Sequence, residues 1–403
     1  MDFEILILGS DANAYYMARC AFEAYHKKAY LIGKERLAFT KFSNILNITY
    51  EPHIWEEKEF LHVLEKFAQE HSNKKIILIS TNETYTEFIS KNKGKISKSY
   101  IYNYPSIEII KSLTNKETFY KTYKNSSLTF PETIYFDCKN KTNILSSLTY
   151  PVVVKPANVV EYNHLKFSGK NKIYKVNNQK ELYDIIKKIK NGGYQDKLII
   201  QEFIPGDDSN LFDAVIYANQ KGKVEFMSFA QIGLQERTNS MVGNAAVLIN
   251  GFNTTKGDVL KQSKNIKKFM ENIHYQGFAE IDMKYDYRDN TFKVLEINAR
   301  QGRCSYYVSA LGKNLVKTIV DDCLYDLPKE YEFLNQQVLL SFVPKGIIKK
   351  YIKNKLFKKQ ALKMWKSVIK PMQAPSDKNI KRFLMLHKRW WHYYKEYKNS
   401  YWK

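Results

Sequence analysis

Three oxygen-bearing side chains, Asp282, Glu296 and Asn298, lie in GFAEIDMKYDYRDNTFKVLEINARQGR, where two apolar runs flank the polar turn Asp286–Asn290. The pattern predicts a β-hairpin with strands over 278–284 and 291–297. With the turn centred on Asp289, antiparallel pairing sets Asp282 opposite Glu296. Asn298 then shares the face of Glu296, and a bulge would shift this register. Facing carboxylates repel each other unless a cation sits between them. An all-oxygen set suits Mg²⁺, which prefers to share its ligands with phosphates. The same residues also fit a solvated acidic face, but the neighbouring Ile281, Val294, Leu295 and Ile297 predict that the hairpin is packed.

Two further segments carry candidate chemistry. In PVVVKPAN, Lys155 ends an apolar strand, where an unpaired ammonium is costly. It therefore calls for a carboxylate or a ligand phosphate, unless it reaches solvent at the strand end. The loop 158–169 that follows could fold over such a phosphate, although it holds a single glycine, Gly169. In LIIQEFIPGDDSN, a strand runs into Gln201, Glu202, Phe203 and Ile204, and a Pro-Gly turn then delivers Asp207 and Asp208. Strand-edge backbone groups can pair with a purine, and a carboxylate just beyond can accept ribose hydroxyls. Any strand followed by an acidic turn would look the same.

The elements that must position these groups read as α/β. Strands at 3–8, 29–32 and 76–79 alternate with helical patterns at 12–25 and 59–70, which predicts an N-terminal parallel α/β domain over 1–112. Its loop Gly9–Asn13 lacks GxGxxG, so a dinucleotide site is weakly supported. A second unit spans 113–330, with a small lobe over 113–200 and a metal-binding lobe over 201–330. Its strands read at 133–136, 152–154, 198–203, 213–217 and 224–230, and its helices at 179–190 and 261–273. Residues 331–344 read as a connector, and a basic, helical extension completes 331–403.

Composition narrows the function classes. The 403 residues suit two or three domains. No run approaches the length of a spanning helix, and the acidic start MDFEILIL predicts no secretory signal and a cytoplasmic location. Cys20, Cys138, Cys304 and Cys323 are too scattered for a structural zinc site and suit a reducing compartment. The net charge of +23 is uneven, since residues 345–403 hold eighteen Lys/Arg against Asp377 and Glu396. That tail interleaves Lys with Trp and Tyr, which suits an anionic membrane surface at the inner face of the membrane. A pair of amphipathic helices packed on the body fits as well. Nucleic acid is disfavoured, because no nucleic-acid fold motif accompanies the charge.

Taken in chain order, these pieces resemble the ATP-grasp superfamily, and within it the bacterial D-aspartate ligase family. The resemblance rests on LGSDANAYYMAR, KPANVVEY, QEFIPGDDSN, GFAEIDMKYDYRD and EINARQGR, which span most of residues 1–315. It implies a two-lobed ATP-grasp fold behind the N-terminal domain, and an enzyme that uses ATP and Mg²⁺ to join the β-carboxylate of D-aspartate to a lysine ε-amine of a peptidoglycan precursor. It further implies that Lys116 and Lys155 bind ATP, that Gln201, Glu202, Phe203 and Ile204 contact adenine, and that Asp208 contacts ribose. Asp282, Glu296 and Asn298 would hold the metal. Arg300 and Lys155 would act at the transferring phosphoryl group, with Arg303, Asp11, Asn13 and Arg19 toward the substrates; Asp11 equally suits a helix cap. Gln201 departs from the Glu that many ATP-grasp members carry. Two other readings stay open: an ATP-grasp ligase with another amino acid or amine, such as a dipeptide ligase, and a non-catalytic basic protein binding membrane or RNA.

Overall fold

The computed structural model describes residues 2–139, 148–157, 159–171, 173–237, 243–327 and 329–400. Asn158, at the head of the loop expected to cover phosphate, lies outside the described residues, as do Tyr401 and Trp402 of the tail.

The N-terminal unit follows the expected alternation. Strands β1 (Phe3–Leu8), β2 (Ala29–Gly33), β3 (Leu46–Tyr50), β4 (Lys75–Ser80) and β5 (Tyr100–Ile101) form a parallel sheet in the order β3-β2-β1-β4-β5. Helices α1 (Ala12–Tyr25), α2 (Glu57–Glu70) and α3 (Glu83–Lys91) cover it. β1 and β4 are almost wholly apolar because both faces of a parallel sheet are buried. Asp11 and Asn82 cap α1 and α3, accepting from the backbone N–H groups of Ala14 and Tyr85. The expected boundary at residue 112 falls inside α4 (Ile107–Thr114), whose Ile110 and Leu113 join the core of the following unit together with Phe119 and Tyr120 of α5 (Lys116–Thr122).

The small lobe is an antiparallel sheet of β6 (Thr133–Asp137), β7 (Val152–Pro156), β8 (Tyr174–Val176) and β9 (Lys197–Glu202), in the order β6-β9-β7-β8. The segment expected as a covering loop forms α6 (Val159–His164), and α7 (Gln179–Asn191) packs Leu182, Ile186 and Ile189 onto the same core.

The large lobe is an eight-stranded sheet. It contains β10 (Leu211–Ala218), β11 (Val224–Ser228), β12 (Ala230–Gln235), β13 (Ala245–Asn250), β14 (Gly277–Asp286) and β15 (Thr291–Asn298), with α8 (Val259–Asn272) against one face. Helices α9 (Tyr306–Ala310) and α10 (Leu315–Cys323) lie between it and the N-terminal unit. Residues 331–344 are not a connector: β16 (Glu332–Leu334) pairs with β11 and β17 (Val338–Ser341) with β13, because short apolar runs complete the sheet edges.

The hairpin reaches its expected register by an unexpected route. Its turn opens after the pair Asp286↔Thr291, half a residue away from a centre at Asp289. That register alone would set Leu295 opposite Asp282. A bulge between Asp282 and Met283 takes up the extra residue, and Asp282 then faces Glu296 while Glu280 faces Asn298.

The basic tail folds onto the body as α11 (Lys345–Tyr351), α12 (Lys355–Lys363) and α13 (Ile380–Ser400). Ile347, Ile348, Phe357, Tyr393 and Tyr397 are buried against β13 and β17 residues, so one face of the tail belongs to the core. Among the described residues, no helix is long and apolar enough to cross a membrane.

Candidate active site

Three carboxylates stand in one row across the large sheet. Asp213 on β10 is the register partner of Asp282 on β14, and Asp282 is that of Glu296 on β15. Glu280 shares the face of Asp282, and the Asn298 amide donates to Asp282 Oδ2 at 3.3 Å. Burial, followed by the neighbouring Asp282, pushes the Asp213 carboxyl up to about 7. Burial and the carboxylates of Glu280 and Glu296 raise Asp282 as well. The row is therefore short of positive charge, and its donors are all hard oxygens. Gly302 lies against this row: a Cβ at this position would lie 1.6 Å from the Glu280 carboxyl carbon, so a larger residue would displace that carboxylate.

One lysine reaches this row from α5, and a second, on β7, meets the hinge residue Gln201. Lys116 Nζ donates to Glu296 Oε2 at 3.0 Å, and Lys155 Nζ donates to Gln201 Oε1 at 2.9 Å. Tyr120 links the two sides. It lies one helical turn from Lys116, its hydroxyl donates to the Leu295 carbonyl at 2.6 Å, and the Lys155 ammonium stands 5.9 Å from its ring centre. The five groups expected around one triphosphate are thus linked by contact: the hairpin holds Asp282, Glu296 and Asn298, α5 brings Lys116 to Glu296, and Tyr120 lies between the hairpin and Lys155 of β7.

The hinge residues divide by role. The Gln201 side chain is buried, and its amide donates to Thr133 Oγ1 at 2.8 Å. The Phe203 ring lies between Lys175 and Lys284, at 4.2 and 5.3 Å from its centre, and Ile204 is buried. The carboxylate of Glu202 is committed elsewhere, accepting from Lys293 and Arg288 at 2.8 Å each, and its backbone N–H donates to the Glu132 carbonyl at 2.9 Å. Asp208 accepts from Arg237 at 2.7 Å and from the Gln235 side-chain amide at 2.8 Å. A ribose would have to share or displace these donors.

The Glu202 pairings belong to a network at the hairpin tip that ties the lobes together. Its centre is Asp286, which is fully buried and bound to Arg288. Burial alone would raise this carboxyl, but the Arg288 guanidinium, the Arg288 backbone N–H and Lys293 outweigh it and hold it at about 2. The folded value lies below the ordinary ~3.9 of an unfolded Asp. The stabilisation is therefore complete above about pH 4 and is lost as pH falls through the folded value. Asp286→Asn should cost on the order of 2 kcal/mol at neutral pH, read by urea unfolding. The gap from the parent should narrow between about pH 5 and pH 2; a gap constant across that window would contradict this account.

The far end of the cleft is built by the N-terminal unit. Arg300 pairs with Glu83 at the start of α3 and donates to the Gln301 carbonyl at 2.9 Å, while its buried Nε has no protein partner. Burial alone would weaken its charge, but Glu83, Glu280 and Asp11 keep the guanidinium firmly protonated. Asp11 caps α1 by accepting from Ala14 N at 3.0 Å, and burial raises its carboxyl. Asn13 donates to the carbonyls of Thr81 and Gln301 at 3.1 and 3.4 Å, pinning the first βα loop to the segment after β15.

Two arginines expected near the substrates serve the fold. Arg303 is buried in a 2.6 Å ion pair with Glu236, which also accepts from Tyr393 of α13. Arg19 binds Glu23 at 2.7 Å and the carbonyls of Lys370 and Gln373 at 3.0 and 3.1 Å. The C-terminal segment and the two glutamates hold these guanidinium groups in the fold.

Comparison with known proteins gives the family and the fold. The chain is 33% identical over 399 residues to a D-aspartate ligase from Enterococcus faecium, an alignment covering 96% of this chain and 93% of the relative. The chain belongs to the D-aspartate ligase family. No family model matches it. Its fold is shared with the L-amino acid ligase from Bacillus licheniformis (TM-score 0.57, 18% identity, 80% of this chain and 74% of that one). It is shared too with the N5-carboxyaminoimidazole synthetase from Staphylococcus aureus complexed with ADP (TM-score 0.60, 15% identity, 84% and 82%). The ligase is thus an ATP-grasp enzyme, an ADP-forming carboxylate–amine ligase.

Several residues of the candidate site escaped the sequence reading. Asp213 and Glu280 each interrupt an apolar strand, LFDAVI and GFAEID, and an acid in such a run is itself a signal of a special site. Tyr120 and Glu83 carried no comparable signal, since a tyrosine or a first-turn glutamate on a helix is ordinary.

Proposed function

We propose that this ligase, acting in the cytoplasm, uses ATP and Mg²⁺ to activate the β-carboxylate of D-aspartate and joins it to the lysine ε-amine of a peptidoglycan precursor. The observation that carries the reading is the carboxylate row Asp213–Asp282–Glu296 meeting Lys116, with Tyr120 joining that wall to Lys155 and Gln201. The choice of D-aspartate is supported by the name of a relative aligned along almost its whole length.

Asp282, Glu296 and Asn298 are the residues that would hold Mg²⁺, whose charge would offset that of the row and of the phosphates. Lys116 and Lys155 neutralise the triphosphate so that an anionic carboxylate can approach the γ-phosphorus. Gln201, Phe203 and Ile204 offer the hinge that receives adenine. The carboxylate oxygen attacks the γ-phosphorus, ADP leaves, and the acyl phosphate forms. Arg300, with an open Nε and a guanidinium that stays protonated, orients the substrate carboxylate or the transferring phosphoryl group through its planar fork. The lysine amine then attacks the acyl carbon, phosphate departs, and the amine loses its proton as the amide forms. Excluding water matters, because an acyl phosphate hydrolyses readily.

ADP release tests the proposal with D-aspartate and a lysine-containing precursor peptide, beside L-aspartate and D-glutamate. ADP should form only when D-aspartate and the peptide are both present. Faster turnover with L-aspartate would overturn the enantiomer. Turnover with a free amino acid as acceptor would convert the reading to a dipeptide ligase.

A further inference from the structure

The tail has two faces, and only one of them is used by the fold. Along α13, Arg382, Leu386, Tyr393 and Tyr397 recur at helical spacing and are buried. The opposite side presents Ile380, Phe383, Leu384, Trp391 and Tyr394, which are 70, 54, 60, 76 and 40% exposed. These side chains form one stripe, with the Phe383 and His387 rings 3.9 Å apart and those of Trp391 and Tyr394 6.2 Å apart. Lys381, Lys388 and Lys395, seven residues apart and exposed, line one border of that stripe. Among the described residues of the tail, neither acid stands free to oppose them: Asp377 is buried against Arg382, and Glu396 pairs with His392 at 3.1 Å.

A contiguous apolar stripe of this kind needs an occupant. Its composition selects the class, since Trp, Tyr, Phe and Leu bordered by lysines match a helix lying in the headgroup region of a bilayer. The helix is about 30 Å long, enough to lie along a membrane surface. Its buried side is locked to the body, so the stripe cannot turn inward to hide. We infer that the outer face of α13 is a docking surface for an anionic phospholipid bilayer, on which Trp391, Phe383 and Leu384 insert while Lys381, Lys388 and Lys395 meet the headgroups. Such docking would keep the cleft beside a lipid-borne acceptor, but the inference does not depend on which substrates the ligase uses.

Co-sedimentation of the full chain with vesicles of phosphatidylglycerol and phosphatidylcholine, against phosphatidylcholine alone, tests it. Binding should require the anionic lipid and weaken as salt is raised. The variant Lys381→Gln/Lys388→Gln/Lys395→Gln should lower the partition coefficient on the order of 100-fold. Phe383→Ser/Trp391→Ser should abolish the blue shift of tryptophan emission on binding. Both variants should keep the parent's melting temperature and ADP formation in solution. Three results would each overturn the proposal: equal binding to neutral vesicles, unchanged binding by both variants, or a parent dimer that the Phe383→Ser/Trp391→Ser variant dissolves. The last would assign the stripe to a second copy of the chain.

Discussion

Glu296→Gln should reduce ADP formation about 10³-fold while leaving the folded structure intact. The exchange keeps the shape of the side chain and removes the charge that faces Asp282 in register and accepts from Lys116 at 3.0 Å. Both members of that ion pair are partly exposed, so its loss costs at most about 1 kcal/mol of stability. Stability and catalysis therefore separate. Thermal unfolding should move by no more than a few degrees, whereas turnover at saturating ATP should fall to near background. Activity within a few-fold of the parent would show that Glu296 holds no metal. It would also leave the acid row without its proposed purpose.

The second large effect concerns the fold. Arg382→Met should destabilise the protein by about 3–5 kcal/mol, the cost of breaking a buried ion pair from one side. Arg382 is buried, with its guanidinium 3.6 Å from the Tyr15 ring centre, 3.2 Å from Asp377, and donating to the Phe39 carbonyl at 2.7 Å and the Met372 carbonyl at 3.1 Å. Asp377 in turn accepts from Tyr15 at 3.0 Å, Ser43 at 2.9 Å and the Asn44 backbone at 2.7 Å. This cluster latches the tail to the N-terminal unit. Removing the arginine strands the aspartate, while Arg382→Met/Asp377→Asn should recover part of the loss. Urea unfolding of the two variants measures this directly. A loss below about 1 kcal/mol for the single change would mean that the latch is not a closed, desolvated cluster.

These two sites mark how far local pattern reaches. The hairpin, the parallel N-terminal sheet, and the strands carrying Lys155 and Gln201 were legible because each is encoded by periodicity within one short segment. The candidate metal ligands followed, since alternation along a strand places Glu296 and Asn298 on one face whatever else surrounds them. The bulge that restores Asp282 to Glu296 was foreseeable only as a possibility, because the register of a hairpin depends on turn geometry that several sequences share. Strands β12, β13, β16 and β17 were missed or merged, because short apolar runs are identifiable as separate strands only by their partners.

Residue type alone therefore established that this chain carries candidate oxygen ligands, lysines and guanidinium groups, and the family resemblance supplied their reading as an ATP-dependent ligase. Which guanidinium faces the cleft was decided by packing between distant segments. Arg300 lies beside the carboxylate row and pairs with Glu83, while Arg303 is held by Glu236 and Arg19 by Glu23 and the distant carbonyls of Lys370 and Gln373. A buried charge must find a partner wherever the fold supplies one, and that supply is a property of three dimensions. The tail shows the same division. Its lysines and aromatics were evident from composition, but their sorting into a packed face and an exposed stripe arose only when α13 met the body.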